Sequence, residues 1–200
     1  TQIFFKNGDT DFFFNWLLGI GEIFGFSHGE LYYLAQRLGN SPKPDDWKNV
    51  FLSHVNYLEQ EASNSGLSEQ TKAQYYLAQT YSLRSAIQFT DPFSEEYLPT
   101  VRQMEKVFSS AIHSLGAPIE KLTITYQGSY LPGYYLHSGD NCPTLIMIGG
   151  GDTYREDLFY FAGYPGWIRN YNVLMVDLPG QGSNPSRGLV FDVDASIHYA

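Results

Sequence analysis

The chain has a single cysteine, Cys142, in 200 residues, so it can form no intrachain disulfide and no multi-cysteine metal site. That scarcity fits a reducing compartment, and the expected location is cytoplasmic. Cys142 precedes Pro143 at a strand entrance with no histidine poised nearby in sequence, a poor setting for a nucleophile. Positive charge is scarce too. Twelve Lys and Arg against 21 Asp and Glu leave a net charge of −9 with no basic cluster, which argues against nucleic acid as a partner. Long apolar runs are missing as well. The phenylalanine-rich start, TQIFFKNGDTDFFFNWLLGIGEIFGF, is broken by Lys6, Asp9 and Asp11. It is too polar for a membrane span and lacks the order of a signal peptide, so no membrane partner is expected. The first residue is not methionine, which reads as a trimmed or partial chain. Ligand-spaced histidines are absent: His28, His54, His113, His137 and His198 form no His-x-x-x-His or Glu-x-x-His pair. Each reads as a surface or satisfied buried imidazole, and neither a metal nor a cofactor is expected.

What remains is a globular composition, 43% hydrophobic and 16% charged, with an aromatic share of 16% that includes 16 tyrosines. Those tyrosines serve packing seams first and a pocket second. Residues 27–115 carry a helical period. Leu31, Leu34, Ala35 and Leu38 recur at one face before Gly39-Asn40. Asp45 or Asp46 can cap the next helix, with Trp47, Val50, Phe51, His54 and Leu58 on one side. Ser68 opens a third helix, with Ala73, Tyr76, Leu77, Leu83 and Ile87 inward. Ser94-Glu95-Glu96 starts a fourth, with Leu98, Val101, Phe108, Ile112 and Leu115 aligned. Gly116 and Pro118 form a helix stop, and the whole reads as a small bundle.

After Pro118 the period changes. Lys121–Tyr126 and Tyr130–Leu136 flank Gln127-Gly128-Ser129 as a hairpin. Leu145–Ile148 is a continuous apolar run, as expected of a parallel strand covered on both faces. Residues 156–170 suit a crossover helix interrupted at Gly163 and Pro165-Gly166. Val173–Val176 is a second buried strand, and Asp192 or Asp194 would cap a further helix. The division is a helical domain at 1–117 and an α/β segment at 118–200.

Three glycine motifs carry the chemistry. Gly149-Gly150-Gly151 follows the first apolar strand and precedes a helix, where backbone N–H groups can meet a ligand. Glycines there allow close approach and positive φ. An oxyanion loop, a phosphate loop and a bare tight turn all fit, although GGGDTYRE lacks the Gly-Lys-Ser/Thr of a P-loop. Gly180-x-Gly182 follows the second strand. It lacks the third glycine of a dinucleotide fingerprint, and reads as a strand-end turn whose loop Asp177 hydrogen-bonds. Gly25-Phe26-Ser27-His28-Gly29 matches the Gly-x-Ser-x-Gly nucleophile elbow but has no strand before it. Ser27-His28-Gly29-Glu30 is also a capping box, which accounts for the serine. The acidic pairs Asp45-Asp46, Glu95-Glu96 and Glu156-Asp157 sit at helix starts, where the dipole favours them.

The stretch TLIMIGGGDTYREDLFYF with NVLMVDLPGQG resembles strand 3, helix A and strand 4 of the α/β-hydrolase fold. The helical front, Tyr32–Gly39, Asp46-Trp47, then Ala73, Tyr76, Ala78 and Tyr81, is similar to one branch of that superfamily. The branch includes 2,6-dihydroxypseudooxynicotine hydrolase, fungal polyketide-shortening hydrolases, the fermentation-respiration switch protein and acylaminoacyl-peptidase-like proteins. The ITYQGSYLPGYYL hairpin also matches it. The resemblance implies an α/β fold, an N-terminal helical bundle followed by the first strands of a hydrolase sheet. It further implies a Ser-His-Asp enzyme acting on an ester, an amide or peptide, or an activated C–C bond next to a carbonyl. A small-molecule or short-peptide acyl substrate is the implied partner, and a homodimer is left open.

On this resemblance Gly151 is the implied oxyanion N–H donor, with Gly150 and Asp152 next. Gly149 replaces the histidine of the family's common His-Gly pair. The nucleophile is expected roughly 20–30 residues beyond Ala200, after a helix and a short loop, with the acid and base further on. The 200 residues alone would then be inactive, and strand 3 would lack a neighbour. The helical domain is expected to wall or lid the pocket. Two alternatives remain: a non-catalytic helical interaction protein, and a nucleotide-binding α/β domain using Gly180-x-Gly182.

Overall fold

Helix caps written into the sequence set the boundaries of the first unit. A computed structural model describes residues 2–21 and 25–192. There are two compact units, Thr1–Leu115 and Gly116–Ala200. In the first, α1 (Gly8–Gly21), α2 (His28–Leu38), α3 (Pro44–Ala62), α4 (Glu69–Ala86) and α5 (Tyr97–Leu115) follow one another. Ser27 caps α2. Its Oγ accepts the Glu30 N–H at 3.1 Å while Glu30 Oε2 accepts the Ser27 N–H at 2.9 Å. Ser68 caps α4 by accepting the Thr71 N–H at 3.1 Å. At α3 the expected cap shifts toward the N-terminus. Lys43 is the cap residue, Pro44 opens the helix, and Asp46 reaches back to accept the Lys43 N–H at 3.0 Å. Proline fits that first position because its missing N–H would have no intrahelical partner.

The phenylalanine-rich N-terminus forms α1, which sequence reasoning did not assign. Phe13 and Phe14 are buried, and with Phe5, Phe51 and Phe89 they surround Trp47 at ring-centroid distances of 4.8–6.4 Å. Trp47 Nε1 donates to the Ser85 carbonyl at 2.8 Å, so the indole ties α3 to α4 as well as filling the core. Along α5 the inward residues are Tyr97, Val101, Met104, Phe108, Ala111 and Ile112, while Leu98 and Leu115 at its ends are only half-buried.

The second unit holds β1 (Ile119–Tyr126), β2 (Ser129–Leu136), β3 (Thr144–Met147) and β4 (Asn172–Val176), in the spatial order β1-β2-β4-β3. β1 and β2 form a hairpin closed by Gln127 and Gly128, with φ of 44° and 74°. Positive φ at both central residues gives a turn that follows the strand twist. β2 pairs antiparallel with β4, and β3 pairs parallel with β4. Buried Asn172 organises the β2–β3 bend, its Oδ1 accepting the Ser138 N–H at 2.7 Å and its Nδ2 donating to the Gly139 carbonyl at 3.0 Å.

Between β3 and β4 the crossover is α6 (Arg155–Leu158), a π-turn over Phe159–Gly163, and α7 (Tyr164–Trp167). Of the interruptions expected at Gly163 and Pro165-Gly166, the first is the end of this π-turn and the second lies within α7, and both glycines have a packing reason. A side chain at Gly163 would meet Met175 Sδ at 2.8 Å, and one at Gly166 would meet Val173 Cγ2 at 2.7 Å. The crossover therefore lies directly against β4. One expectation is corrected. Among the described residues β3 is not covered on both faces: Leu145 is 40% and Ile146 69% exposed, and β3 is also the edge of the four-stranded sheet. The helix expected from Asp192 or Asp194, and His198, fall on residues 193–200, outside the described residues. Among the described residues no helix is long and apolar enough to cross a membrane.

Asp11 offers a test of how the N-terminal strap is held. Its Oδ1 accepts the N–H groups of Phe5 at 2.9 Å and Phe4 at 2.6 Å, and its Oδ2 that of Ile3 at 3.0 Å. The Phe5 N–H chiefly, with those of Phe4 and Ile3, holds this carboxyl below its ordinary value against the opposing effect of burial. A depressed folded pKa contributes stability above the unfolded carboxyl's pKa of about 3.9, lost as pH falls through the folded value. Asp11→Asn should therefore melt below the wild type at pH 7, with the gap closing in acid. Thermal melts followed by circular dichroism at both pH values check this. A gap unchanged by pH would mean that Asp11 acts through packing alone.

Candidate functional site

β3 and β4 run parallel, so their C-terminal ends open toward the same side, where parallel sheets place ligands. Two turns leave there. The first, residues 148–154, contains Gly149-Gly150-Gly151; the second, residues 177–187, contains Gly180-Gln181-Gly182. They meet through one side chain. Gln181, 3% exposed, donates from Nε2 to the Gly150 carbonyl at 2.6 Å and accepts the Leu178 N–H at Oε1 at 2.8 Å. The Gly150 carbonyl also accepts the Thr153 N–H at 3.0 Å, closing a tight turn around Gly151 and Asp152. Gly150, Gly151 and Asp152 are exposed on this turn.

The glycine triplet works differently from expectation. Positive φ is found at Gly180 (88°) and Gly182 (52°), but at none of Gly149, Gly150 and Gly151. The steric demand in the triplet sits at Gly149, where a Cβ would lie 2.8 Å from Thr153 Cβ. There is thus no room for the histidine of the family's His-Gly pair, and Gln181 with Thr153 anchors the loop instead.

Behind the turns lies a buried charged cluster. Asp177, at the end of β4, accepts the backbone N–H of Arg155 at 2.6 Å and pairs with Arg155 Nη1 at 3.2 Å. Arg155 Nε lies 3.2 Å from Glu156 Oε1, and that oxygen accepts the Tyr134 hydroxyl at 2.7 Å. The guanidinium sits 4.6 Å over the Tyr134 ring. Asp157 Oδ2 accepts the Tyr154 N–H at 2.9 Å. Burial, then the Glu156 charge, pushes the Tyr134 hydroxyl well above its ordinary pKa, so it stays a donor. Burial likewise raises Tyr160, helped by the Asp157 and Glu156 charges. Glu156 and Asp157 do stand at a helix start, as expected, but the dipole alone does not account for them. They are sealed inside: Glu156 ties the start of α6 to β2 through Tyr134, and Asp157 caps that start by accepting from Tyr154.

Asp177 reaches across to α6 as well as lying within its own loop. Its carboxylate also lies against Gly182, where a Cβ would crowd Oδ2. A phosphate at Gly180-x-Gly182 would face that carboxylate. Phe191 covers Gly180, is largely exposed, and approaches the Gly151 position within 4.0 Å. Sequence reasoning missed Gln181, Arg155 and Phe191. For Gln181 a signal existed: an amide side chain inside a Gly-x-Gly turn is placed to bond a neighbouring backbone.

The serine motif of the helical unit is a cap. Ser27 Oγ is 2.8 Å from Glu30 Oε2, and Gly25 (φ 88°) is required because a Cβ would strike the Gln74 carbonyl. His54 is buried, with Nδ1 2.9 Å from Ser82 Oγ and Nε2 3.7 Å from Glu30 Oε1. The His54 contact first, then the Ser27 donors, hold the Glu30 carboxyl below its ordinary value. Ser27, Glu30, Arg37, Ser53, His54 and Tyr57 border a cavity of about 610 Å³. Among the described residues no group of three or more His, Cys, Asp or Glu could hold a metal ion.

The described site thus places an exposed, hydrogen-bonded glycine turn at the mouth of a parallel strand pair. The solved 2,6-dihydroxy-pseudo-oxynicotine hydrolase superposes on 82% of this chain and 46% of its own, with a TM-score of 0.62 and 22% identity. The fold is that of the α/β hydrolases, with a helical N-terminal part. The solved AbyA5 wild type matches 92% of this chain and 49% of its own length at a TM-score of 0.64 and 17% identity. In sequence, the hydrolyase ccsE of Aspergillus clavatus is 27% identical over 177 residues, 79% of this chain and 40% of the relative. The alpha/beta hydrolase psoB of Aspergillus fumigatus is 26% identical over 192 residues, 89% of this chain and 43% of the relative. No protein-family model matches. The chain spans less than half the length of the curated relatives it matches.

The triplet's geometry predicts unequal tolerance. Gly149→Ala, overpacked against Thr153, should cost about 1–3 kcal/mol. Gly150→Ala, whose nearest neighbour would be Thr153 Oγ1 at 3.6 Å, should stay within about 0.5 kcal/mol. Urea denaturation of the two variants measures the difference, and equal losses would refute the close-approach account.

Proposed function

We propose that this chain is the N-terminal part of a serine hydrolase acting on an ester, an amide or peptide, or an activated C–C bond next to a carbonyl. The nucleophile, acid and base lie beyond residue 200, and residues 1–200 contribute the oxyanion side of the site. Gly151 supplies the main backbone N–H, with Gly150 and Asp152 beside it. The observation that carries this reading is the exposed, doubly anchored turn at the C-terminal end of β3. Fixed backbone donors facing developing charge need no reorganisation as the tetrahedral intermediate forms, and one such donor is worth roughly 3 kcal/mol. Relatives named as hydrolases, and the likeness to a hydrolase of 2,6-dihydroxy-pseudo-oxynicotine, support hydrolytic chemistry on a small carbonyl substrate.

The full-length protein should react covalently with a fluorophosphonate at a serine beyond residue 200, mapped by peptide mass spectrometry. A folded full-length protein that takes no label would overturn the reading. Labelling at Ser27 would overturn it too, since that hydroxyl is committed to the α2 cap.

A further inference from the structure

We infer that Gln181 is a positioning residue that aims the Gly151 N–H into the site, an inference resting on the oxyanion reading above. In a trans peptide the carbonyl and the following N–H point in opposite directions across one plane. The peptide joining Gly150 to Gly151 presents its carbonyl to two donors, Gln181 Nε2 at 2.6 Å and Thr153 N at 3.0 Å. With the oxygen's two lone pairs engaged, that plane is fixed, and the Gly151 N–H is directed away from Gln181, on an exposed turn.

Gln181 is itself fixed. Its Oε1 accepts the Leu178 N–H at 2.8 Å, and the side chain is buried. Its turn is held in register by Asn184, which donates to the carbonyls of Asp177 and Leu178 at 2.9 and 2.8 Å. An amide is the side chain this position requires, because one end must accept from Leu178 while the other donates to Gly150. A glycine-rich loop has no side chains of its own with which to resist rotation of that peptide. The second turn therefore supplies the rigidity that the first one lacks.

The test uses full-length enzyme and a fluorophosphonate, with kinact and KI measured separately. Gln181→Met keeps the length and removes both hydrogen bonds. It should lower kinact by about 10- to 100-fold at unchanged KI, and raise hydrogen exchange in the peptide containing Gly151. Gln181→Glu keeps the acceptor for Leu178 but sets a carboxylate against the Gly150 carbonyl. Once protonated, its carboxyl can donate again, so its kinact relative to wild type should recover as pH falls.

A labelled wild type with Gln181→Met kinact within twofold overturns the positioning role and leaves the proposed function standing. A folded wild type that takes no label overturns both. Should Gln181→Met fail to fold, Gln181→Glu decides: recovery at low pH supports the role, and a deficit flat in pH overturns it.

Discussion

The buried contact between Asp177 and Arg155 sets the geometry of the sheet unit. One carboxylate at the end of β4 receives both the first backbone N–H of α6 and the guanidinium of the residue that carries it. Strand end and helix start are thereby joined across the sheet, and residues 148–154 must span a fixed gap. Arg155 extends the constraint to Glu156, and through the Tyr134 hydroxyl to β2. Breaking such a pair by removing one partner strands a charge in the interior, at a cost of about 3–5 kcal/mol. The cluster therefore cannot loosen piecemeal, and the turn above it inherits that rigidity.

Much of this was legible because it depends on local chemistry. Ser27 and Ser68 identify helix starts by their spacing to a following donor. Gln127-Gly128 identifies a hairpin because two consecutive residues need positive φ. The alternation at Lys121–Tyr126 and the apolar run at Val173–Val176 give strands directly. What was hidden depends on residues far apart in sequence. Nothing near Gln181 says that its amide meets Gly150, and nothing near Arg155 says that Asp177 waits at the end of a later strand. Helix α1 escaped notice for another reason. Asp11 interrupts its apolar face, yet it is there to collect the N–H groups of Ile3, Phe4 and Phe5 rather than to meet water. β3 misled in the opposite sense: its edge position was expected, but its composition is that of a strand covered on both faces, and Leu145 and Ile146 are exposed.

The two units solve their packing problems with different residue types. The helical unit crowds phenylalanines around one indole whose N–H is matched to a carbonyl, so a very aromatic core carries little polar cost. The sheet unit puts glycines where the backbone must approach a neighbouring side chain closely, at Gly149, Gly163 and Gly166. Gly163 closes the π-turn and Gly166 lies in α7, and side chains at these two positions would strike Met175 and Val173.

The strand order has a consequence for how the protein is made. β3 leaves the ribosome before β4, and β4 is its strand partner in the described sheet. Until the glycine turn, the whole crossover and β4 have emerged from the ribosome as well, the backbone of Leu145, Ile146 and Met147 lacks that neighbour. At ordinary elongation rates that interval is on the order of seconds, long compared with the microseconds in which the β1–β2 hairpin can close. A nascent polypeptide that has emerged only as far as the segment between Gly149 and Asn172 thus carries an unpaired apolar strand behind a finished hairpin, a surface open to non-native pairing.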